Sequence, residues 1–411
     1  MPEHPGAGGA PHPGAAMPLS VLAALIGGQI CLHACMSGVR MSTPLQALGE
    51  GLGAGVLGMM MGLYALAPIA LALPAGRWAD RHGYHRPMRL AVGLTIAGSL
   101  SALAATWLAQ LGAGALVAAM CAAAVLTGAG ANIGLIVIQR SAGRGAGNPT
   151  ELRRVFAWLG IAPALANVLG PVLAGALIDA GGFRLAYACL LLLPLAALAW
   201  ARRVPAEAPP ASASPAKSSS WQLLRAPGLA RLLLVNWLFS ATWDMHALLV
   251  PILGHERGFS ASAIGLVLGV FAATVALVRF AVPPLAHRMQ EGQVLTGALI
   301  WAAIVLLLYP FVHAAWLMGM CAGLLGMALG VGQPMIMANL HQITPHERHG
   351  EAIALRAMTL NASSALMPLL FGALGTALGA SALFWLMGVV LAAGTQATRR
   401  IGPPAGHVNS P

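Results

Sequence analysis

The stretch GRWADRHGYHRP, residues 76–87, decides how the fold of this chain is interpreted. It holds three arginines, one aspartate and two histidines, whereas only 8% of the 411 residues are charged and 58% are hydrophobic. A soluble protein of this length needs far more charge to cover its surface. The composition therefore predicts an all-α polytopic membrane protein, in which this stretch connects two membrane-crossing helices.

Twelve apolar segments follow one another along the chain, and each is close to the roughly 20 residues that a helix needs to cross the hydrocarbon layer. We predict twelve spans from these segments. Their predicted limits are 18–40, 54–75, 88–110, 112–139, 154–178, 183–201, 229–252, 261–286, 292–312, 314–341, 350–376 and 378–397.

The positive charge is distributed by topology. Of the 22 Lys and Arg, 17 lie on one side, in connections or within the first three residues of a span, Arg184 and Arg257 lie on the other side, and Arg40, Arg279 and Arg356 are assigned to the spans themselves. Positively charged connections stay in the cytoplasm, so we expect both termini there, in a multi-pass protein of a bacterial-type inner membrane. The net charge of +11 therefore gives no reason to expect a nucleic-acid partner.

The two halves of the chain repeat each other. A shift of 207 residues aligns Gly58 with Gly265, and a shift of 197 aligns Pro171 with Pro368. Two related bundles of helices around a midplane site are typical of secondary transporters. We predict a disordered cytoplasmic tail (1–17), an N-terminal six-helix bundle (18–201), a cytoplasmic linker (202–228), a C-terminal six-helix bundle (229–398) and a second cytoplasmic tail (399–411).

The stretch 76–87 carries a motif formed by Gly76, Asp80, Arg81, Gly83 and Arg86. Between spans two and three, this order of glycine, Asp-Arg, glycine and a basic residue resembles the loop motif of the major facilitator superfamily. The resemblance covers residues 18–398 and implies a twelve-helix transporter of two pseudo-symmetric bundles. It also implies that the five motif residues form a cytoplasmic gate. The alternative is that the positive residues only set the topology.

Span five carries a second, partial match. Gly170, Pro171 and Gly175 occupy places in a glycine-rich run that the family's antiporters carry in this span. The resemblance implies close helix packing at these positions and favours export. Ala124 stands in span four where many of the family's proton antiporters carry an arginine, so the coupling mode stays open.

Polar residues inside the spans predict a binding cavity, because a charge at the bilayer centre costs roughly 2.5–3.5 kcal/mol on insertion scales. Two helical stripes carry many of them, one in span one and one in span seven. In the family these two spans face each other across a central cavity. We predict that this cavity is lined by Gln29, His33, Arg40, Asn236, Ser240, Asp244, Gln333, Arg356 and Asn361.

Asp244 and His33 are the predicted proton-coupling residues. Asp244 is the one carboxylate well inside a predicted span. Burial disfavours the charged form of a carboxylate, which suits a proton carrier. The alternatives are that Asp244 forms a structural ion pair with Arg40 and that His33 is a satisfied core residue. Arg40 and Arg279 can also reach the membrane surfaces with their long side chains.

The sequence thus predicts a secondary active transporter, and not an enzyme, that moves a small organic solute with protons by alternating access. Three arginines against one aspartate inside the spans favour an anionic or zwitterionic solute. We expect no cofactor, no metal and a monomeric chain whose partners are the solute, the proton and the lipid bilayer. A facilitator or uniporter, an anion exchanger and a non-transporting membrane sensor of the same fold are the alternatives.

Overall fold

The computed structural model describes residues 17–145, 149–206, 228–285, 290–344 and 348–398. Both predicted tails, apart from Met17, and most of the predicted linker lie outside these ranges. The described residues form α1 (Leu19–Gly49), α2 (Ala54–His82), α3 (His85–Leu108), α4 (Ala113–Gly145), α5 (Pro149–Leu190), α6 (Leu192–Ala201), α7 (Leu229–Glu256), α8 (Ala261–Leu285), α9 (Glu291–Leu308), α10 (Ala315–Ile343) and α11 (His349–Thr398).

Two helical stretches each hold two membrane spans. Within the described residues, ten helical stretches are long and apolar enough to cross a membrane, and two of them, Arg154–Ala201 and Glu351–Thr398, are 48 residues long. The first is interrupted at Gly182 (φ 76°) and the second at Gly379 (φ 78°), in a left-handed backbone region that favours glycine. With each of these stretches divided in two, the predicted all-α fold of twelve membrane-crossing helices is confirmed.

The spans are helical because the hydrocarbon layer offers no water to the backbone, so every N–H and C=O must pair within the segment. The same requirement governs the small polar side chains. Thr95 donates to the carbonyl of Ala91 at 2.8 Å, and Thr127 donates to that of Ala123 at 2.7 Å. Many Ser and Thr in the spans are therefore satisfied inside their own helix and need no ligand.

The helices form two groups. Helices α1–α6 pack on one another, chiefly as α3 on α4 and α1 on α5, and α7–α11 do the same, chiefly as α8 on α10 and α7 on α11. Within the described residues, the groups meet mainly where α1 faces α7, α2 faces α11 and α5 faces α8. We call the end of the molecule that carries the α2–α3 connection the basic end, and the other the opposite end.

The contact between α2 and α11 lies in the half of each helix towards the opposite end, and it depends on glycine. A Cβ on Gly58 would overlap the carbonyl oxygen of Pro368 and would lie 2.7 Å from the Cα of Gly372. A Cβ on Gly372 would lie 2.8 Å from the carbonyl oxygen of Ala54. The two backbones are therefore in direct contact.

The contact between α5 and α8 repeats this arrangement. A Cβ on Gly265 would overlap the carbonyl oxygen of Pro171, and a Cβ on Gly175 would overlap that of Ala261. Gly265 and Ala261 lie 207 residues after Gly58 and Ala54, so the same shift that aligns the two halves of the sequence also aligns these packing contacts. The internal repeat is thus present in the packing of the two groups.

The stretch 76–87 is mostly helical, so its prediction as a loop was wrong. α2 continues to His82, α3 begins at His85, and only Gly83 and Tyr84 connect them. Gly83 has a φ of 69° and its N–H donates to the carbonyl of Ala79 at 3.0 Å, which closes the last turn of α2. Asp and Arg are compatible with a helix, so their charge marks the membrane surface without ending α2.

Candidate functional site

Asp244 lies in the packed interior between the two groups of helices and is only 2% exposed. Its Oδ1 is 3.8 Å from Nη2 of Arg40 on α1. From α11, Ser363 donates to Oδ2 at 3.0 Å and Ser364 donates to Oδ1 at 3.2 Å. A carboxylate on α7 is therefore held by hydroxyls of its own group and by a guanidinium of the other group.

Six of the predicted cavity residues come together on one wall. Helices α7, α8, α10 and α11 enclose a cavity of about 290 Å³ whose lining includes Asn236, Ser240, Asp244, Gln333, Arg356 and Asn361. Arg279 also lines it, with the aromatic rings of Phe239 and Trp243. Asn236 lies about 10 Å along α7 from its start and Asp244 about 22 Å, at 1.5 Å per residue. Asp244 is therefore at the end of the cavity that is farther from the basic end.

The polar stripe of α1 does not join this wall. Gln29 lines a separate cavity of about 90 Å³ beside α4 and α5. His33 is half-buried, and Ser37 donates to the carbonyl of Ala166 at 2.9 Å, which ties α1 to α5. Arg40 lines a cavity of about 50 Å³ that Trp243 also lines. Arg40 is thus the member of the stripe that approaches Asp244, and the roles of Gln29 and His33 stay predictions.

Ser363 and Ser364 were not identified as site residues from the sequence. Ser364 follows Asn361 by three residues in an apolar helix, so both residues lie on one helical face. That spacing is the signal that could have placed Ser364 at the cavity.

The residues of the predicted gate lie at the basic end. Asp80, in the last turn of α2, accepts a hydrogen bond of 2.7 Å from Nε of Arg140 in α4. The side chains of Arg81 and Arg86 are exposed. Asp80 therefore binds a helix of its own group in this structure, and a contact with the other group stays a prediction.

The predicted packing residues of α5 lie at two helix crossings. Gly170 contacts α1, where a Cβ would lie 2.6 Å from the carbonyl oxygen of Ala34. Pro171 and Gly175 contact α8, as described above. Gly170 and Gly175 leave no room for a side chain, because a Cβ at either position would meet the backbone of a neighbouring helix.

Asp179 adds a polar contact at the opposite end that was not identified from the sequence. It accepts hydrogen bonds from the backbone N–H of Ala261 at 3.0 Å and from that of Ser262 at 2.8 Å, at the start of α8. Partial burial alone would raise the pKa of Asp179, but the hydrogen bonds it receives outweigh burial and hold the pKa below its ordinary value. The first group of helices thus caps a helix of the second.

The chain matches one protein family along nearly its whole length. The sequence profile described as Major Facilitator Superfamily matches residues 25–291 and 232–410. The chain belongs to the Major Facilitator Superfamily. It is therefore a multi-pass membrane transporter.

The chain has low sequence identity to individual proteins of known description. The chain is 27% identical over 366 residues to the tetracycline resistance protein, class G, of Vibrio anguillarum, over 82% of this chain and 86% of that protein. It is 26% identical over 320 residues to the efflux pump azaK of Aspergillus niger, over 70% of this chain and 65% of that protein. A solved POT family transporter in complex with 5-aminolevulinic acid has the same fold, with a TM-score of 0.73 and 13% identity over 91% of this chain and 94% of that one.

Proposed function

We propose that this major facilitator transporter exports a small organic solute in exchange for protons, with Asp244 as the proton carrier. One observation carries the proposal. The carboxylate of Asp244 lies at the end of a polar cavity that is farther from the basic end, and it is paired, across the interface between the two groups of helices, with the guanidinium of Arg40. A proton on Asp244 therefore changes an attraction that acts between the two moving parts.

The size of this attraction suits the role. Two unit charges about 4 Å apart attract by on the order of 4 kcal/mol at an effective dielectric constant of 20, before the cost of desolvation is subtracted. Moving a two-state equilibrium from 1:99 to 99:1 takes roughly 5.5 kcal/mol. Protonation of Asp244 would thus supply a useful part of the bias between the two conformations.

The proposed cycle follows from which end is closed. The glycine contacts close the opposite end, and there Arg40 reaches Asp244. When that end opens, Arg40 and Asp244 separate, and Asp244 takes up a proton from the exposed side. When the groups close again, the returning guanidinium competes with the proton, which leaves through the cavity.

The orientation rests on charge. We propose that the basic end faces the cytoplasm of a bacterial-type inner membrane, because positively charged connections are retained there. The closed opposite end then faces outward. The direction of transport rests on the partial match of α5 to the family's antiporters and on the two relatives, one described as an efflux pump and one as a resistance protein.

The test is solute flux in liposomes that contain the purified chain. An imposed pH gradient should drive accumulation of a transported solute above its equilibrium level, and a protonophore should abolish that accumulation. Glu50→Gln serves as the matched carboxylate control for Asp244→Asn, because Glu50 is exposed at the end of α1. Flux that ignores the gradient would identify a facilitator or an exchanger. An absence of flux with every solute tested would favour a non-transporting sensor.

A further inference from the structure

We propose that Arg279 and Arg356 form a binding subsite for the carboxylate of an organic anion, and that the transported solute is therefore an amphipathic carboxylate. This inference rests on the proposed function, since it names the class of solute that the same cavity would take. It assigns to the two arginines a task distinct from that of the Arg40–Asp244 pair.

Arg356 is buried and has no counter-charge among the described residues. It is 9% exposed, it lines the cavity, and its Nε has no hydrogen-bond partner among the described residues. A charge taken out of water costs several kcal/mol unless it is paired and hydrogen-bonded. The structure thus contains a guanidinium that lacks an acceptor and points to a negatively charged group from outside the chain.

Arg279 doubles this positive charge. It lies on α8, is exposed on the wall of the same cavity, and is close enough to Arg356 for their charges to repel. Neither arginine has an ion pair among the described residues. Two like charges in one cavity are unfavourable until an anion binds between them, so a bound carboxylate would relieve both the repulsion and the missing hydrogen bonds.

Asp244, the carboxylate that lines this cavity, does not supply the anion that the two arginines need. Asp244 is held by Arg40 at 3.8 Å and by Ser363 and Ser364. Asp244 also lies farther from the basic end than the two arginines do. Arg356 is about 10 Å along α11 from its start and Arg279 about 9 Å from the end of α8, so both lie near the level of Asn236, about 12 Å along α7 from Asp244. The arginine pair therefore faces a part of the cavity that the Asp244 carboxylate does not neutralise.

The other residues that line the cavity indicate that the rest of the solute is apolar or aromatic. Phe239 and Trp243 contribute aromatic rings, and Leu329, Ile336 and Leu360 contribute aliphatic surface. A ligand site of this kind typically combines apolar walls with a few polar groups that fix the orientation. The carboxylate would bind at the arginines, with an apolar or aromatic body extending towards Trp243.

Binding is tested with two matched sets of probes on the full chain in nanodiscs of phosphatidylcholine: 1-naphthoate, 1-naphthamide and 1-naphthylmethylamine, and phenylacetate, phenylacetamide and phenethylamine. Each carboxylate should bind at least tenfold more tightly than its amide and its amine by isothermal titration calorimetry. Hydrogen bonds to charged groups predict that Arg356→Gln and Arg279→Gln each weaken carboxylate binding by roughly ten- to a hundredfold and leave amide binding unchanged. Arg89→Gln, which removes an exposed arginine of α3, is the matched control and should bind as the wild type does.

Other results would overturn the inference. It is wrong if amides or amines bind as tightly as the carboxylates, if no carboxylate binds, or if the glutamine variants keep wild-type affinity. It is also wrong if phosphatidylglycerol, added to the nanodiscs, raises the Tm of the wild type but not of the double variant Arg279→Gln/Arg356→Gln while the carboxylates fail to bind, because the arginines would then hold a lipid headgroup. Flux in liposomes separates the two proposals. Arginine-dependent binding without gradient-driven flux refutes the proposed function alone, and gradient-driven flux of amines that ignores the arginines refutes this inference alone.

Discussion

Replacing Gly58 by alanine should open the end of the molecule that is closed in this structure. The new Cβ would lie 2.7 Å from the Cα of Gly372, about 0.7 Å short of the 3.4 Å at which ordinary contact begins, and it would overlap the carbonyl oxygen of Pro368. Both obstacles are backbone atoms and cannot turn aside. Overpacking of this kind costs roughly 1–3 kcal/mol. Only the closed state bears the cost, so the equilibrium should shift towards the open state by roughly 5- to 150-fold.

Distances across the opposite end report this shift. Spin labels at Leu111→Cys and Trp316→Cys, two exposed positions in the two groups of helices, would be placed in a chain whose five native cysteines are replaced. Double electron–electron resonance should show a longer distance in Gly58→Ala than in the parent. Gly265→Ala should have the same effect, because it meets the carbonyl oxygen of Pro171 in the repeat-related contact.

Gly93→Ala is the matched control, since a Cβ there meets nothing within 4 Å. It removes a helical glycine in the same way but leaves the distance as in the parent. Equal distance distributions in all three variants, with each protein folded, would refute the idea that glycine contacts hold this end closed.

Three further predictions concern charged contacts. Arg40→Gln should lower Tm more than the double variant Arg40→Gln/Asp244→Asn, because the single change leaves a buried charge unpaired; equal losses would argue against the ion pair. Asp80→Asn should lower the free energy of unfolding by at most about 1 kcal/mol, since the Asp80 side chain is 67% exposed, so a large loss of flux in this folded variant would report gating, and unchanged flux would favour a role in topology alone. Because hydrogen bonds hold the pKa of Asp179 below its ordinary value, its bond to α8 should persist as the pH falls to the ordinary Asp pKa of about 3.9 and should weaken only below that. The label distance across the opposite end should then lengthen in acid, and it should lose this dependence in Asp179→Ala.

The fold could be predicted from the sequence because membrane solvation constrains it strongly. Apolar length identifies each span. One 48-residue stretch is interrupted at Gly182, between two predicted spans, and the other at Gly379, the second residue of the last predicted span. The ends of helices are less constrained. The charged residues of 76–82 continue α2, because an Asp or Arg at the membrane surface is compatible with either a helix or a loop.

The site could be predicted only in part, because a stripe of polar residues does not say which of its members find partners inside the protein. Asn236, Ser240 and Asp244 of α7 line one cavity, and their role in binding stays a prediction, whereas Ser37 of the matching stripe in α1 donates to a carbonyl of α5. The two serines that hold Asp244 come from α11, which packs on α7 but is far from it in the sequence. Contacts of that kind depend on how helices cross, which one sequence does not specify.

The central claim, that Asp244 carries the proton, is tested most directly by recording internal pH in liposomes while a transported solute moves down its own gradient. The account predicts that solute movement shifts the internal pH with the wild type and with Glu50→Gln. With Asp244→Asn, it predicts that solute exchange continues without any shift of pH. A pH shift of wild-type size with Asp244→Asn would contradict the account, because the proton would then travel without this carboxylate.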